Sequence, residues 1–270
     1  MSEGREDLEA RTGSSTALLR TVVGSVLRPL GGWMTASGAV ALLDALDVPA
    51  STARSSLTRL CARGVLVREP RGAVAGYALD PAAVPMLERG DRRIFDTRPS
   101  GDDGWCLLSF SIPEHRRDQR HQLRRRLAAL GCGTVADGLW IAPQHLESEI
   151  DRMLTELALQ QECVLFADAR ARGPLGSGLA LWYDLDRIRA AHETFLERFA
   201  SAAHPVDDPA AFAQWMRVLD EWRVIPYLDP GLPAAALPDD WPAAASAARF
   251  AELRAALEPR ALAYARRVAL

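Results

Sequence analysis

Between Glu221 and Pro242 the chain reads EWRVIPYLDPGLPAAALPDDWP. Five prolines (Pro226, Pro230, Pro233, Pro238 and Pro242) fall within seventeen residues, and Trp222, Tyr227, Leu228, Leu232, Leu237 and Trp241 are threaded among them. Each proline lacks a backbone donor and clashes with the preceding turn, so a continuous helix cannot run through the segment. A solvated linker, in turn, has no use for so many large apolar groups. The pattern therefore predicts a fixed, non-helical strap. Pinned φ angles lower the entropy lost on ordering it, while the leucines and Trp241 supply apolar surface to bury. Its place after a helix of the last third makes it a candidate wall of a ligand pocket.

The rest of the chain has room for such a pocket, since 270 residues allow two or three compact domains. No run of eighteen or more uncharged apolar residues occurs, so no membrane-spanning helix is expected. The polar, acidic start MSEGREDLEARTGSS has the character of neither signal peptide nor anchor, and residues 1–15 are expected to form a disordered tail. Cys61, Cys106, Cys132 and Cys163 are scattered, without a C-x-x-C pair or a histidine spacing suited to zinc. They read as reduced thiols of a cytoplasmic protein without a metal. All 32 basic side chains are arginine. Having no lysine excludes a Walker-A loop and Schiff-base or pyridoxal chemistry. G-x-S-x-G and H-E-x-x-H are also missing. Nothing here points to an enzyme.

From Thr16 the pattern is helical: Leu18, Leu19, Val22, Val23, Val26 and Leu27 form one apolar face before Pro29 and Gly31-Gly32. Thr35 or Ser37 can cap a second helix bearing Val40, Leu43 and Leu46. A third, from Pro49 to Gly64, gathers Ala53, Leu57, Leu60 and Cys61 on one side. Ser51, Thr52, Ser55, Thr58 and Arg59 lie on the other, flanked by Arg54 and Arg63, and no acid interrupts them. Arginine forks reach guanine edges or phosphates, and short hydroxyl side chains permit close approach to a groove. VLVREPRGAVAGYAL then reads as strand, turn and return strand, with Arg68 and Arg71 on the hairpin. Three helices followed by a hairpin make a winged helix-turn-helix, expected over residues 16–97. Between Ala17 and Leu79 seven arginines face three acids, although the whole chain is net −3. That local excess of positive charge favours double-stranded DNA as partner.

After DTRPSGDDG the pattern changes. WCLLSFSI is a strand, residues 114–130 a helix, CGTVA and GLWIA a hairpin around Asp137-Gly138, residues 145–159 a helix and CVLFAD a strand. This βαββαβ order predicts a ferredoxin-like domain over residues 98–172, a fold that serves dimerisation among other roles. Its first helix carries HRRDQRHQLRRR, which places Arg116, Arg120 and Arg124 in one stripe. A solvated face, an auxiliary phosphate contact and dimer salt bridges are open readings of that stripe.

Residues 173–270 read as a mainly α-helical C-terminal domain, giving an α+β protein overall. Leu185, Ile188, His192, Phe195, Leu196 and Phe199 line a helix over about 184–203, Phe212, Trp215, Met216 and Leu219 a second over about 209–224, and 246–270 a third. Asp239-Asp240 reads as a cap for the last. Three stretches resemble the phenylacetate-degradation repressor family (PaaX-like): Ala53-Arg54-x-x-Leu57-x-Arg59-Leu60-x-x-Arg63-Gly64-x-Leu66, LRRRLAALGCGTVADGLWIAP and DEWRVIPYLDPGLPAAALPDDWP. Family members often carry His-Glu-(Tyr or Trp)-Arg where this chain has Asp220-Glu221-Trp222-Arg223.

The resemblance implies a cytoplasmic, homodimeric repressor released from its operator by an aryl-acetyl-CoA or other acyl-CoA thioester. Two heads held by the remaining domains would meet half-sites about one helical turn apart or a multiple of it. The DNA-contacting set is then Ser51, Thr52, Arg54, Ser55, Thr58, Arg59, Arg63, Arg68 and Arg71. For the effector, Arg217 and Arg223 offer charge, while Trp182, Tyr183, Trp222 and Tyr227 offer aromatic surface; His192 is either a ligand contact or a core histidine. An architectural DNA binder without effector and a DNA-tethered enzyme are the alternatives.

Overall fold

The computed structural model describes residues 12–96, 104–173, 175–201, 205 and 207–270. The expected tail, up to residue 11, and most of the polar connection at 96–104 lie outside the described residues. The chain forms two compact units, each assembled from separated segments. Residues 104–194 and 224–244 make a sheet unit, while 12–96, 195–223 and 245–270 make a helical unit.

The helical unit opens with α1 (Ser15–Val22), whose N-terminal amide of Ala17 is capped by the Ser14 hydroxyl at 3.3 Å. A wider π-type turn, Val23–Leu27, continues it. Strand β1 (Trp33–Thr35) leads into α2 (Ala36–Asp44), and the Thr35 hydroxyl caps that helix through Gly38 N at 2.9 Å. Next come α3 (Ala50–Ala62), β2 (Leu66–Arg68), β3 (Gly76–Leu79) and α4 (Val84–Phe95). The three strands form an antiparallel sheet in the order β1-β3-β2. The winged arrangement read from the sequence is present, with two additions. Strand β1 is too short to show a period, and α4 hides behind Pro81 and Pro85 and a charged, outward face.

The sheet unit has β4 (Trp105–Phe110), α5 (Arg117–Ala129), β5 (Gly133–Ala136), β6 (Leu139–Pro143), α6 (Glu147–Leu157) and β7 (Cys163–Ala169). Strand order is β5-β6-β4-β7, antiparallel throughout, as the βαββαβ reading requires. One sheet face buries Cys106, Leu108, Phe110 and Trp140 against Leu123 and Leu127 of α5 and Ile150, Met153 and Leu154 of α6. The other face carries Trp105 and Ile141, which pack with Leu179 of α7 (Gly176–Trp182), with Tyr183, and with Leu232 of the strap.

Helix α8 (Leu185–Phe199) contributes its last turn to the helical unit, joined there by α9 (Asp208–Trp222) and by most of α11 (Ala243–Ala269). Phe250 of α11 is the centre of that unit. Its ring stacks on Trp222 (centroids 4.5 Å apart, planes at 10°), lies 5.8 Å from Trp215, and meets Phe195 and Phe95 at 6.5 and 6.3 Å. Further along, α11 buries Ala261, Ala265 and Ala269. Small side chains there allow a backbone-close crossing with α2: a Cβ on Gly38 would stand 2.5 Å from the Ala269 Cα.

Phe250→Ala would remove the ring on which four other rings pack, and it is expected to lower stability by about 3–5 kcal/mol in chemical denaturation. Burial pushes the thiol of Cys106 up to about 12 and that of Cys163 up to about 11, whereas Cys61 is only half-buried. At pH 8 a thiol-specific chromogenic reagent should therefore reach no cysteine of the native protein except Cys61, and all four after denaturation.

Candidate nucleic-acid interface and effector residues

Helix α3 buries Ala53, Ser56, Leu57 and Leu60. The remainder turns outward: Ser51, Arg54, Ser55, Thr58, Arg59 and Arg63 are exposed, and Thr52 is half-exposed. The hydroxyls stay close to the helix, Ser55 donating to Ser51 O at 3.1 Å and Thr58 to Arg54 O at 3.0 Å. The surface left to a partner is consequently low and studded with arginine. Arg59 donates to the buried Ser56 hydroxyl at 2.7 Å, a bond the apolar periodicity did not reveal because Ser56 occupies a core position. Arg28 pairs with Asp91, and Arg71 pairs with Glu69 at 3.0 Å. The side chains of Arg54 and Arg68 carry neither a hydrogen bond nor an ion pair among the described residues. Within α3 and the hairpin, these are the uncommitted guanidinium groups. Arg68 is close enough to act on the half-buried Cys61, opposing the upward push of burial on that thiol.

The effector candidates divide between the units. In the sheet unit, the Tyr183 hydroxyl donates to Ile141 O at 3.0 Å, and burial holds its pKa well above the ordinary phenol value. Trp182 packs beside it at the rim of the same layer. His192 is 3% exposed and meets Asp229 at 3.0 Å between Nε2 and Oδ2. The other oxygen of Asp229 accepts from Gly231 N at 2.8 Å and Leu232 N at 3.2 Å. Tyr227 is half-buried in the one-turn helix α10 (Ile225–Leu228).

The proline-rich strap thus has two small helical turns, α10 and a 3-10 turn at Ala234–Ala236, where the sequence suggested none. Prolines start both turns without interrupting them, since the first turn of a helix needs no donor from its opening residues. Two residues of α8, one turn apart, grip the strap. His192 holds Asp229 near its start, and Arg189 holds Asp240 near its end through hydrogen bonds of 2.8 and 3.1 Å. The Arg189 guanidinium also lies 5.1 Å from the Trp241 ring and keeps the Asp240 carboxyl below its usual range. Asp240 is an ion-pair partner of α8.

In the helical unit, Trp222 is part of the Phe250 stack and donates through its indole nitrogen to Ile94 O at 3.1 Å. Arg223 donates to Asp220 at 2.9 Å. Asp220 itself is buried, accepting also from Thr21 Oγ1 at 2.9 Å and from Gly13 N at 2.7 Å. This carboxylate ties α9 to the first helix of the head. Arg217 reaches Asp47, in the turn between α2 and α3, at 2.7 Å. The stripe expected on α5 is likewise occupied from within: Arg116 pairs with Glu162, Arg120 with Glu114 at 2.8 Å, and Arg124 donates to Asp137 O at 2.8 Å.

Asp229→Ala would orphan two backbone donors beside a buried imidazole, with an expected loss of about 2 kcal/mol or more. Limited proteolysis should then cut the chain within 224–244, where the unaltered protein resists.

Models of one protein family match along most of the chain. Residues 14–82 match "PaaX-like protein", 98–176 match "PaaX protein central Cas2-like domain", and 183–267 match "PaaX-like protein C-terminal domain". "Transcriptional repressor PaaX" of Escherichia coli (strain K12) is 24% identical over 240 residues, covering 84% of this chain and 75% of that protein. Among solved structures, "Uncharacterized protein Rv0674 from Mycobacterium tuberculosis" is similar with a TM-score of 0.59 and 27% identity, covering 90% of this chain and 97% of that one.

Proposed function

The chain belongs to the PaaX-like family, and from that premise we propose that it is a cytoplasmic, homodimeric transcriptional repressor that leaves its operator when an acyl-CoA thioester, such as an aryl-acetyl-CoA, binds. The observation that carries the DNA reading is the exposed face of α3. Ser51, Thr52, Arg54, Ser55, Thr58, Arg59 and Arg63 lie there without an acid among them, and the hairpin adds Arg68 and Arg71. Such a face suits a major groove: arginine reads guanine or phosphate, and the low hydroxyls let the helix axis come close.

Dimerisation is assigned to the ferredoxin-like segment, 98–172, and the head to 16–97; paired heads suit an operator with two half-sites. Effector recognition is assigned to the C-terminal part, 173–270. Of the candidate residues, Trp182, Tyr183, His192 and Tyr227 lie in the sheet unit, and Arg217, Trp222 and Arg223 lie in the helical unit. The repressor relative supports a binding role over catalysis. A ligand can act only through unequal affinity for the DNA-competent and DNA-incompetent states.

Fluorescence anisotropy on the chain's own upstream DNA, with and without a panel of acyl-CoA thioesters, tests this reading. Release by one thioester is the expected outcome; DNA binding indifferent to every thioester would leave an architectural protein, and absence of DNA binding would overturn the assignment. Arg54→Ala should weaken operator binding by about 1–3 kcal/mol, with a flatter base preference at the affected position.

A further inference from the structure

We infer that Arg71, although it stands on the wing of a DNA-binding head, positions the wing instead of contacting phosphate, and that Arg68 is the wing's phosphate ligand. The inference rests on the DNA-binding reading above and sharpens it.

Arg71 has two partners. Its Cζ lies over the Trp33 ring, 4.7 Å from the centroid, and its Nε donates to Glu69 at 3.0 Å. An exposed ion pair by itself contributes little. Here, however, the pair lies against a buried, hydrogen-bonded ring. Trp33 is 6% exposed, and its indole nitrogen donates to Glu69 O at 2.8 Å. The same ring lies so close to β3 that a Cβ on Gly76 would stand 2.4 Å from it. Only glycine allows that approach. The backbone of Arg71 closes the hairpin tip, donating to Val74 O at 2.9 Å and accepting from Val74 N at 3.1 Å. Wing tip, β1 and β3 are therefore clamped around one indole, with Arg71 as the outer jaw.

Arg68 differs in each respect. It is exposed at the end of β2, and its side chain has neither ion pair nor hydrogen bond among the described residues. Phosphate at the remaining Nη donors of Arg71 would be a second anion beside the Glu69 carboxylate that already holds its Nε, and would bring that carboxylate towards the DNA. Binding through Arg68 does not. Two arginines three residues apart, equivalent in the sequence, thus have different work.

The salt dependence of DNA affinity separates the two roles. Each phosphate-binding arginine that is removed lowers the slope of log K against log salt by about 0.9, whereas removal of a brace leaves the slope alone. The assay is anisotropy of a labelled duplex of the chain's own upstream region, over a salt series, with thermal melting as the control for folding. Arg68→Ala removes one such arginine from each head and is expected to reduce the slope by about 1.8 for the dimer on its two half-sites. Arg71→Gln is expected to weaken binding about two- to five-fold with the slope unchanged, and its effect should not add to that of Trp33→Phe in the double variant. A slope lowered by Arg71→Gln, full affinity in that variant, or additive effects with Trp33→Phe would overturn the inference. If the unaltered protein binds no duplex, the DNA reading itself falls and this inference with it; failure of the brace alone shows only in the variants.

Discussion

The helical unit depends on one ring. Phe250 lies within the last helix, yet it packs against Phe95 from the end of the head, Phe195 from α8, and Trp215 and Trp222 from α9. None of these segments could bury its aromatic face alone. Together they make a core in which the winged head is continuous with C-terminal helices instead of being a bead on a linker. Polar bonds repeat the connection at the margins of that core: Asp220 holds Thr21 of α1, Arg217 holds Asp47 before α3, and Arg266 donates to Pro29 O at 3.2 Å. A change in α9 thus bears directly, at several points, on the helices that carry α3.

The strap obeys a different constraint. Prolines cannot supply amide donors, so the segment is held by side chains and by apolar burial, with few ladder bonds. Asp229 accepts the amides of Gly231 and Leu232 while leaning on His192, and Asp240 closes the other end on Arg189. Between them Leu232, Leu237 and Trp241 fill the second face of the sheet. An antiparallel sheet with one uncovered face would leave Trp105 and Ile141 in water; strap and α7 together cover them.

Much of the fold was legible because each element writes its own period. The α3 faces, the Asp137-Gly138 hairpin and the βαββαβ order follow from residues that interact with near neighbours. Short β1 has too few residues for a period, and α4 begins on prolines and carries charged residues over most of its length. The candidate residues were harder. Trp222 and Tyr183 have the composition of ligand contacts, but Trp222 is stacked in a core and Tyr183 is bonded to Ile141 O. Composition tells what a side chain could do, and burial tells what already engages it.

The sequence by itself determined the family, the winged and ferredoxin-like patterns, and the basic, acid-free face of α3, since these rest on local spacing and on motifs of adjacent residues. Tertiary structure decided which arginines are spoken for. Arg68 and Arg71 are indistinguishable in a linear reading, and the helical spacing that puts Arg59 on the outer face and Arg54 on its flank does not tell which of them is already bonded. Only folding brings Trp33 beneath Arg71 and Ser56 beside Arg59, because a guanidinium's partners are set by strands and helix faces that meet in space. The same holds for Glu221–Pro242: its prolines forbid a continuous helix, but the grip of His192 and Arg189 that makes it a strap exists only when α8 lies alongside.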